Sequence, residues 1–449
     1  MPIFRIKLTP TQRIIMSFLG VILTGSLLLT LPISQQATSQ AHYWDNLFTT
    51  VSMVCVTGLF TVPVAATYTT FGQIICMMLM QIGGLSLISF IGLFSLQARR
   101  KLSFINIATL QESLSRDDTR NFKQFIFSVF QFTFAVELLG ALLLSLHFVP
   151  KFGLAKGLFT SLFLAISAFC NAGFDNMGAN SLIDYATVPI VNLVIAALII
   201  MGGLGFSVWF DLQTHLTKQG HCRKLAFHTK VVVMLTAFIL FVGTTLSLLI
   251  EYNNPSTIGN LSFGHKVITS FFQTVTMRTA GFATIDYTKA HPVTLLLYIF
   301  QMFLGGAPGG TAGGLKITTF LALVLFARSE ILGLTHTNFM GRTIDTVTIR
   351  KTVALFSVFL MTFILGLFAI SVTDPQKPLL FLMFEVMSAL ATVGVTANLT
   401  PTLTHASQFI IMALMFFGRI GPMSILMSIS NRKSSREDNI QYAKSTMIV

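Results

Sequence analysis

Four stretches of the chain end alike, and they limit the fold more than any other feature. They are WDNLFTTVSMVCVTGLF (44–60), LFTSLFLAISAFCNAGFD (158–175), VITSFFQTVTMRTAGFAT (267–284) and LLFLMFEVMSALATVGVT (379–396). Each is moderately apolar and closes on a glycine flanked by small or hydroxyl residues. Those glycines, Gly58, Gly173, Gly281 and Gly394, are 115, 108 and 113 residues apart. A second landmark keeps the register: QIGGLS (81–86), MGGLGF (201–206), LGGAPGG (304–310) and FGRIGP (417–422) follow the loop glycines. The offsets to Gly83, Gly202, Gly305 and Gly418 are 25, 29, 24 and 24. A chain that repeats at two landmarks across four segments is built from one unit used four times.

Composition says where the units sit. With 53% hydrophobic and 10% charged residues and a mean hydropathy of +0.76, this is an integral membrane protein. Apolar runs of about 20 residues, enough for roughly 30 Å of hydrocarbon, recur at 14–33, 71–96, 123–148, 188–210, 231–250, 292–327, 352–372 and 409–430. The first is too long for a signal peptide and lacks a cleavage site, so it is read as retained. Eight spans put both termini on one side. Of the 29 Lys and Arg residues, 23 fall on that side and only Lys151, Lys156, Lys266, Arg278, Lys289 and Lys377 on the other, which makes the termini cytoplasmic. The net charge of +13 is then topology, and a nucleic-acid surface is not expected. Cys55, Cys76, Cys170 and Cys222 form no C-x-x-C pair and the histidines no ligand spacing, so no metal enzyme is expected.

The 12 to 15 residues before each loop glycine are too few to span, so each such segment enters the membrane and turns back. Irregular backbone at that depth survives only inside protein or along a watery cavity. The expected fold is all-α and polytopic. It has eight transmembrane helices and four re-entrant pore helices, as four M1–pore helix–M2 repeats arranged pseudo-fourfold about a central pore. The repeats are 1–98, 99–215, 216–330 and 331–449. Four loops on one axis make a ring of backbone carbonyls able to replace the water shell of a monovalent cation, with the pore helices aiming their negative ends at it. Thr57, Thr279 and Thr392 are expected to add hydroxyl oxygens below the ring, and no ring of carboxylates marks a divalent site.

The units resemble the pore-forming subunits of the Trk/Ktr/HKT superfamily of potassium transporters over nearly the whole chain. The length and the glycine-rich stretch 305–316 resemble the membrane subunit of bacterial Ktr systems, of the KtrB/KtrD type. The resemblance implies a K⁺ selectivity filter made by Val56, Thr57, Gly58, Asn171, Ala172, Gly173, Thr279, Ala280, Gly281, Thr392, Val393 and Gly394. In plant relatives a serine at the Gly58 position goes with sodium preference, so glycine there implies potassium. Sodium coupling stays open.

Residues 292–327 would form a helix of about 54 Å, so the run Gly305, Gly306, Ala307, Pro308, Gly309, Gly310, Thr311, Ala312, Gly313, Gly314 is a break. A phosphate-binding loop fails on pattern, because Leu315 separates Gly314 from Lys316. The resemblance implies instead an intramembrane gating loop, 305–316, that obstructs the pore. Arg419 lies deep in the last span and aligns with Gly84, Gly203 and Gly306, so it is expected to face the axis near that loop. Arg278 and Glu385 are expected to bond to each other or to filter backbone, Glu137 to need a partner, and Asp45 to be an N-cap.

An alternative is a secondary solute transporter whose broken helix binds substrate. It would show inverted repeats and paired broken helices, whereas these repeats share one topology and one inner helix is fully interrupted. No cytoplasmic connection exceeds about 35 residues, too short to form a nucleotide-binding domain of its own, so no cofactor is expected in this chain and a sensor would be another chain. The resemblance implies a homodimer in the bilayer of a bacterial cell membrane. A cytosolic RCK-type ring (KtrA/KtrC type) that binds ATP, ADP or NAD(H) would dock on basic segments such as 97–123, 218–230 and the tail after Asn431.

Overall fold

The computed structural model describes residues 10–85, 122–178, 180–217 and 225–421. In chain order its main helices are α1 (Pro10–Thr30), α2 (Tyr43–Val54), α3 (Thr70–Leu85), α4 (Phe122–Phe152), α5 (Leu154–Phe169), α6 (Pro189–Gly203), α7 (Phe206–Thr217), α8 (Phe227–Glu251), α9 (Phe263–Thr276), α10 (Pro292–Phe303), α11 (Ile317–Ile331), α12 (Thr346–Thr373), α13 (Leu379–Leu390) and α14 (His405–Ile420). Long, apolar α1, α4, α8 and α12 can each cross a bilayer. Each is followed by a short helix, α2, α5, α9 or α13, of 12 to 16 residues. At 1.5 Å per residue these reach only about 18–24 Å. The polytopic, helical character read from composition is therefore present.

Burial sorts the helices into layers. The short helices are packed on most sides, with Phe48, Phe163, Phe272 and Phe384 fully enclosed. Long helices instead turn Leu146, Phe241 and Phe368 outward, 65%, 73% and 70% exposed, which suits a lipid-facing shell. The expected continuations of α3 to 96 and of α14 to 430 lie outside the described residues, as do most of the basic segments named as docking surfaces.

Among the described residues two inner helices are broken, where the sequence suggests one. Between α10 and α11 the chain leaves the helix from Leu304 to Lys316. Between α6 and α7 it bends by 91°, with Gly205 at φ +90°.

Acidic side chains at the ends of long helices fasten the start of later ones. Glu251 accepts from His291 N at 2.8 Å and the Thr294 hydroxyl at 2.5 Å, at the start of α10. Asp374 accepts from Thr404 N at 3.2 Å, the Thr404 hydroxyl at 2.9 Å and the Ser407 hydroxyl at 2.5 Å, at the start of α14. Helix N-termini carry unpaired N–H groups and a positive dipole end, so a carboxylate is favourable there. Asp45 corrects the N-cap expectation: the N-cap is His42, three residues earlier, and α2 starts at Tyr43. Asp45 closes the turn from the third helical position, accepting from His42 N at 3.0 Å and the Thr61 hydroxyl at 2.8 Å.

Burial alone would raise the Asp374 carboxyl, but hydrogen bonds from Ser407 and Thr404 outweigh it and hold its pKa below the ordinary value. A folded-state pKa below the unfolded one gives a contribution that is complete above the unfolded value and lost as pH falls through the folded one. Asp374→Ala is thus expected to destabilise the purified protein by about 1–3 kcal/mol near neutrality. The gap in Tm between variant and wild type closes as pH falls from about 4 downward, which thermal unfolding across pH checks.

Candidate functional site

The four loop glycines meet in a closed cycle. A Cβ built on Gly58 would stand 2.9 Å from the Ala172 carbonyl oxygen, and one on Gly173 2.6 Å from that of Ala280. One on Gly281 would stand 2.9 Å from that of Val393, and one on Gly394 2.7 Å from the Gly58 Cα. The carbonyls of Thr57, Ala172, Ala280 and Val393 thereby lie at the contacts between the four loops. Every glycine of the ring has positive φ, from 71° to 105°, and so has the residue two before it: Val56 (55°), Asn171 (58°), Thr279 (70°) and Thr392 (53°). For a residue with a Cβ that region costs roughly 1–2 kcal/mol, and strain of this kind persists only where the surroundings impose it. Here it recurs at the same place in four loops.

What imposes it is partly hydroxyl support from behind. Gly58 N donates to Ser52 Oγ at 3.1 Å, Phe174 N to Ser167 Oγ at 2.9 Å and Gly394 N to Ser388 Oγ at 3.0 Å. In the third loop Thr276 donates instead to the Phe282 carbonyl at 2.7 Å. These supports were not singled out in the sequence, although Ser52, Ser167 and Ser388 each stand six residues before their glycine. Helices α2, α5, α9 and α13 end just before the ring, so their carbonyl ends face it.

By backbone register the residue equivalent to Thr279 and Thr392 is Val56, while Thr57 matches Ala172, Ala280 and Val393. Asn171 occupies the equivalent place in the second loop; its amide nitrogen donates to the carbonyls of Ala168 at 3.1 Å and Ile199 at 3.3 Å. The Thr57, Thr279 and Thr392 hydroxyls are buried without a partner among the described residues. On the outer side of the ring lies a cavity of about 110 Å³ reached by Gly173, Gly281, Gly394, Asp286, Thr396 and Asn398.

On the inner side lies the loop between α10 and α11. Its base is closed: Leu304 bridges Leu315, Gly305 N donates to Leu315 O at 2.9 Å and Ile317 N to Gly306 O at 3.1 Å. From there residues 307–314 reach beneath the ring. Gly313 presses on the Thr392 side chain so closely that a Cβ would not fit, and Gly314 lies against Ala391. The Thr311 hydroxyl donates to Phe169 O at 3.1 Å, and Lys316 Nζ turns back to Ala312 O at 2.7 Å. The bend in the second inner helix receives the loop: Ala307 N donates to Gly203 O at 2.9 Å, Thr311 N to Gly202 O at 3.1 Å, and Phe206 N to Gly309 O at 3.0 Å. Pro308 O would be 2.6 Å from a Cβ on Gly205, which is why that position has none. Arg419 crosses to the loop from α14. Its guanidinium donates to the Thr311 carbonyl and to Gly83 O at 2.5 Å and Gly84 O at 3.2 Å.

The comparisons with known proteins agree with one another. The family model of TrkH, described as a cation transport protein, matches residues 5–437. The chain belongs to this family. It is 36% identical to the potassium/sodium uptake protein NtpJ of Enterococcus hirae, over 99% of this chain and 98% of that one. To the Ktr system potassium uptake protein B of Bacillus subtilis it is 37% identical, over 97% and 96%. The crystal structure of the potassium transporter TrkH from Vibrio parahaemolyticus shares the fold, with a TM-score of 0.76 at 16% identity, covering 94% of this chain and 86% of that one. As a TrkH-family member the chain is a multi-pass membrane transport protein and not an enzyme.

Buried charges of this family member depart in part from expectation. Arg278 and Glu385 do not meet. The described contact of Arg278 is Nη2 to the Thr236 hydroxyl, 3.4 Å away on α8. Glu385 accepts from the Thr400 hydroxyl and, at 2.9 Å, from that of Thr396, beyond the fourth loop glycine. Arg278 lies two residues past the end of α9 and Glu385 within α13, and each bonds to a threonine hydroxyl instead. Glu137, left without a partner by the sequence, receives Gln81 Nε2 at 3.2 Å.

Proposed function

We propose that this chain is the pore-forming subunit of a potassium uptake system. Potassium passes through the ring of carbonyls from the four loops, each loop being the centre of an M1–pore helix–M2 repeat, pseudo-fourfold about the pore. One observation supports the reading: equivalent residues in four loops, 108 to 115 apart in sequence, share a strained left-handed conformation, and the four loop glycines pack in a cycle against one another's backbone. Backbone oxygens and orphan hydroxyls, with no carboxylate in the ring, suit a dehydrated monovalent cation. Potassium as cargo fits the names of the relatives, one a potassium/sodium uptake protein and the other a potassium uptake protein.

The loop 305–316 is the gate and Arg419 its latch, holding Thr311 and placing a positive charge on the ion's route. A system name such as that of the Bacillus subtilis relative fits a multi-component assembly. In this reading the chain is a homodimer in the bacterial cell membrane, with both termini cytoplasmic. A separate cytosolic RCK-type subunit binds ATP, ADP or NAD(H) and moves the gate. The second break in α6–α7 adds to the case for a solute transporter only if its polar groups are free for a substrate. The breaks instead pair with each other through Gly202, Gly203 and Phe206.

Expression in cells stripped of their own potassium uptake systems, together with a matching cytosolic ring, is expected to restore growth and rubidium uptake at low external potassium. Uptake that shows no preference for potassium over sodium sinks the reading, and saturable uptake of an organic solute in its place favours the transporter alternative.

A further inference from the structure

Glu137 has no part in the pathway described above, yet it lies buried in α4, 3% exposed. A carboxyl group at that depth is expensive to keep and is retained where it acts. Its partners come from two other elements. Gln81 of α3 donates to Oε2 at 3.2 Å, and the Cys170 thiol lies 3.4 Å from Gln81 Oε1 and 3.9 Å from Glu137 Oε1. Cys170 ends α5 and immediately precedes Asn171, the left-handed residue of the second loop. Helix α3 presses on the same thiol, since a Cβ on Gly84 would stand 2.8 Å from its sulfur, and Arg419 holds the Gly83 and Gly84 carbonyls of α3.

The position three before the loop glycine is Cys55, Cys170, Arg278 and Ala391 in the four loops. In the second and third it is tied to the preceding long helix, Cys170 to Glu137 and Arg278 to Thr236. In the fourth it is an alanine, which has no group to tie. We infer that Glu137, Gln81 and Cys170 form a positioning network that pins the second loop from behind and sets the discrimination between potassium and sodium. A smaller ion is held well only if the carbonyls close in on it. A loop fixed to α3 and α4 at Cys170 keeps the Ala172 carbonyl from moving inward. The inference rests on the ring being the filter.

The test compares potassium and sodium uptake by wild type, Glu137→Leu, Glu137→Gln, Gln81→Leu and Gly173→Ser, each normalised to the amount of protein in the membrane. Glu137→Leu and Gln81→Leu are expected to lower the potassium/sodium ratio about tenfold, while Glu137→Gln, whose amide still bonds to Gln81 and Cys170, stays within about twofold of wild type. The inference is overturned if both leucine variants keep the wild-type ratio, or if Glu137→Gln loses as much as Glu137→Leu. Should Glu137→Leu fail to reach the membrane, Gln81→Leu, which removes no carboxyl group, decides alone. An unchanged ratio in Gly173→Ser counts against the filter itself; a changed ratio there with an unchanged one in Gln81→Leu counts against this network only.

Discussion

Gly394→Ser is expected to lower the potassium/sodium uptake ratio by about 100-fold, equivalent to ~2.7 kcal/mol of lost discrimination, while protein still reaches the membrane. Two independent obstacles act at this position. The residue has φ +92°, a conformation that a serine resists. Its Cβ would also press on the Thr57 carbonyl and lie 2.7 Å from the Gly58 Cα, which is backbone and cannot swing aside. The fourth loop must therefore move outward or push the first, and either shift spoils the spacing of carbonyls on which replacement of the ion's water depends. Competition between rubidium and sodium uptake measures the ratio, and a ratio unchanged from wild type removes the filter assignment.

What was legible in the sequence follows from how local the physics is. The four loops could be placed because their turns need glycine at one fixed point and their short helices need apolar residues, both local requirements that repeat. Charge asymmetry likewise gave a reading of sidedness. Thr57 stands one position nearer its glycine than Thr279 and Thr392, so counting back from the loop glycines places Val56 with the latter two, and the backbone angles agree. The bend at Gly205 was hidden for a different reason. MGGLGF continues an apolar run, and what breaks the helix is contact with Pro308 and Gly309, about a hundred residues later. Arg278 and Glu385 attracted a pairing expectation because opposite charges in hydrocarbon should meet, but threonine hydroxyls next to each in the folded chain were closer at hand. Long-range polar partners such as Gln81 for Glu137 carry no periodic signal at all.

Deleting residues 307–313 is expected to raise potassium flux at least tenfold and to make it independent of the cytosolic partner and its nucleotide. Removal is structurally feasible because the loop has a closed base: the bridge between Leu304 and Leu315 and the bond from Ile317 N to Gly306 O hold α10 and α11 together without the excised residues. What is lost is the segment that lies under Thr392 and pairs with Gly202, Gly203 and Phe206. Arg419→Ala tests the latch separately. It frees the Thr311, Gly83 and Gly84 carbonyls and takes a positive charge off the route. A single cation at 4 Å from a buried one is repelled by about 4 kcal/mol at an effective dielectric of 20, so an increase in flux of about threefold from this change is modest. Because the loop's backbone bonds to α6 and α7 remain, Arg419→Ala should open the pathway less than the deletion does and should keep part of its response to the partner. Rubidium efflux from proteoliposomes, with and without the cytosolic ring, reads both variants. Deletion protein that is folded but no more permeable than wild type would show that residues 307–313 do not close the pore.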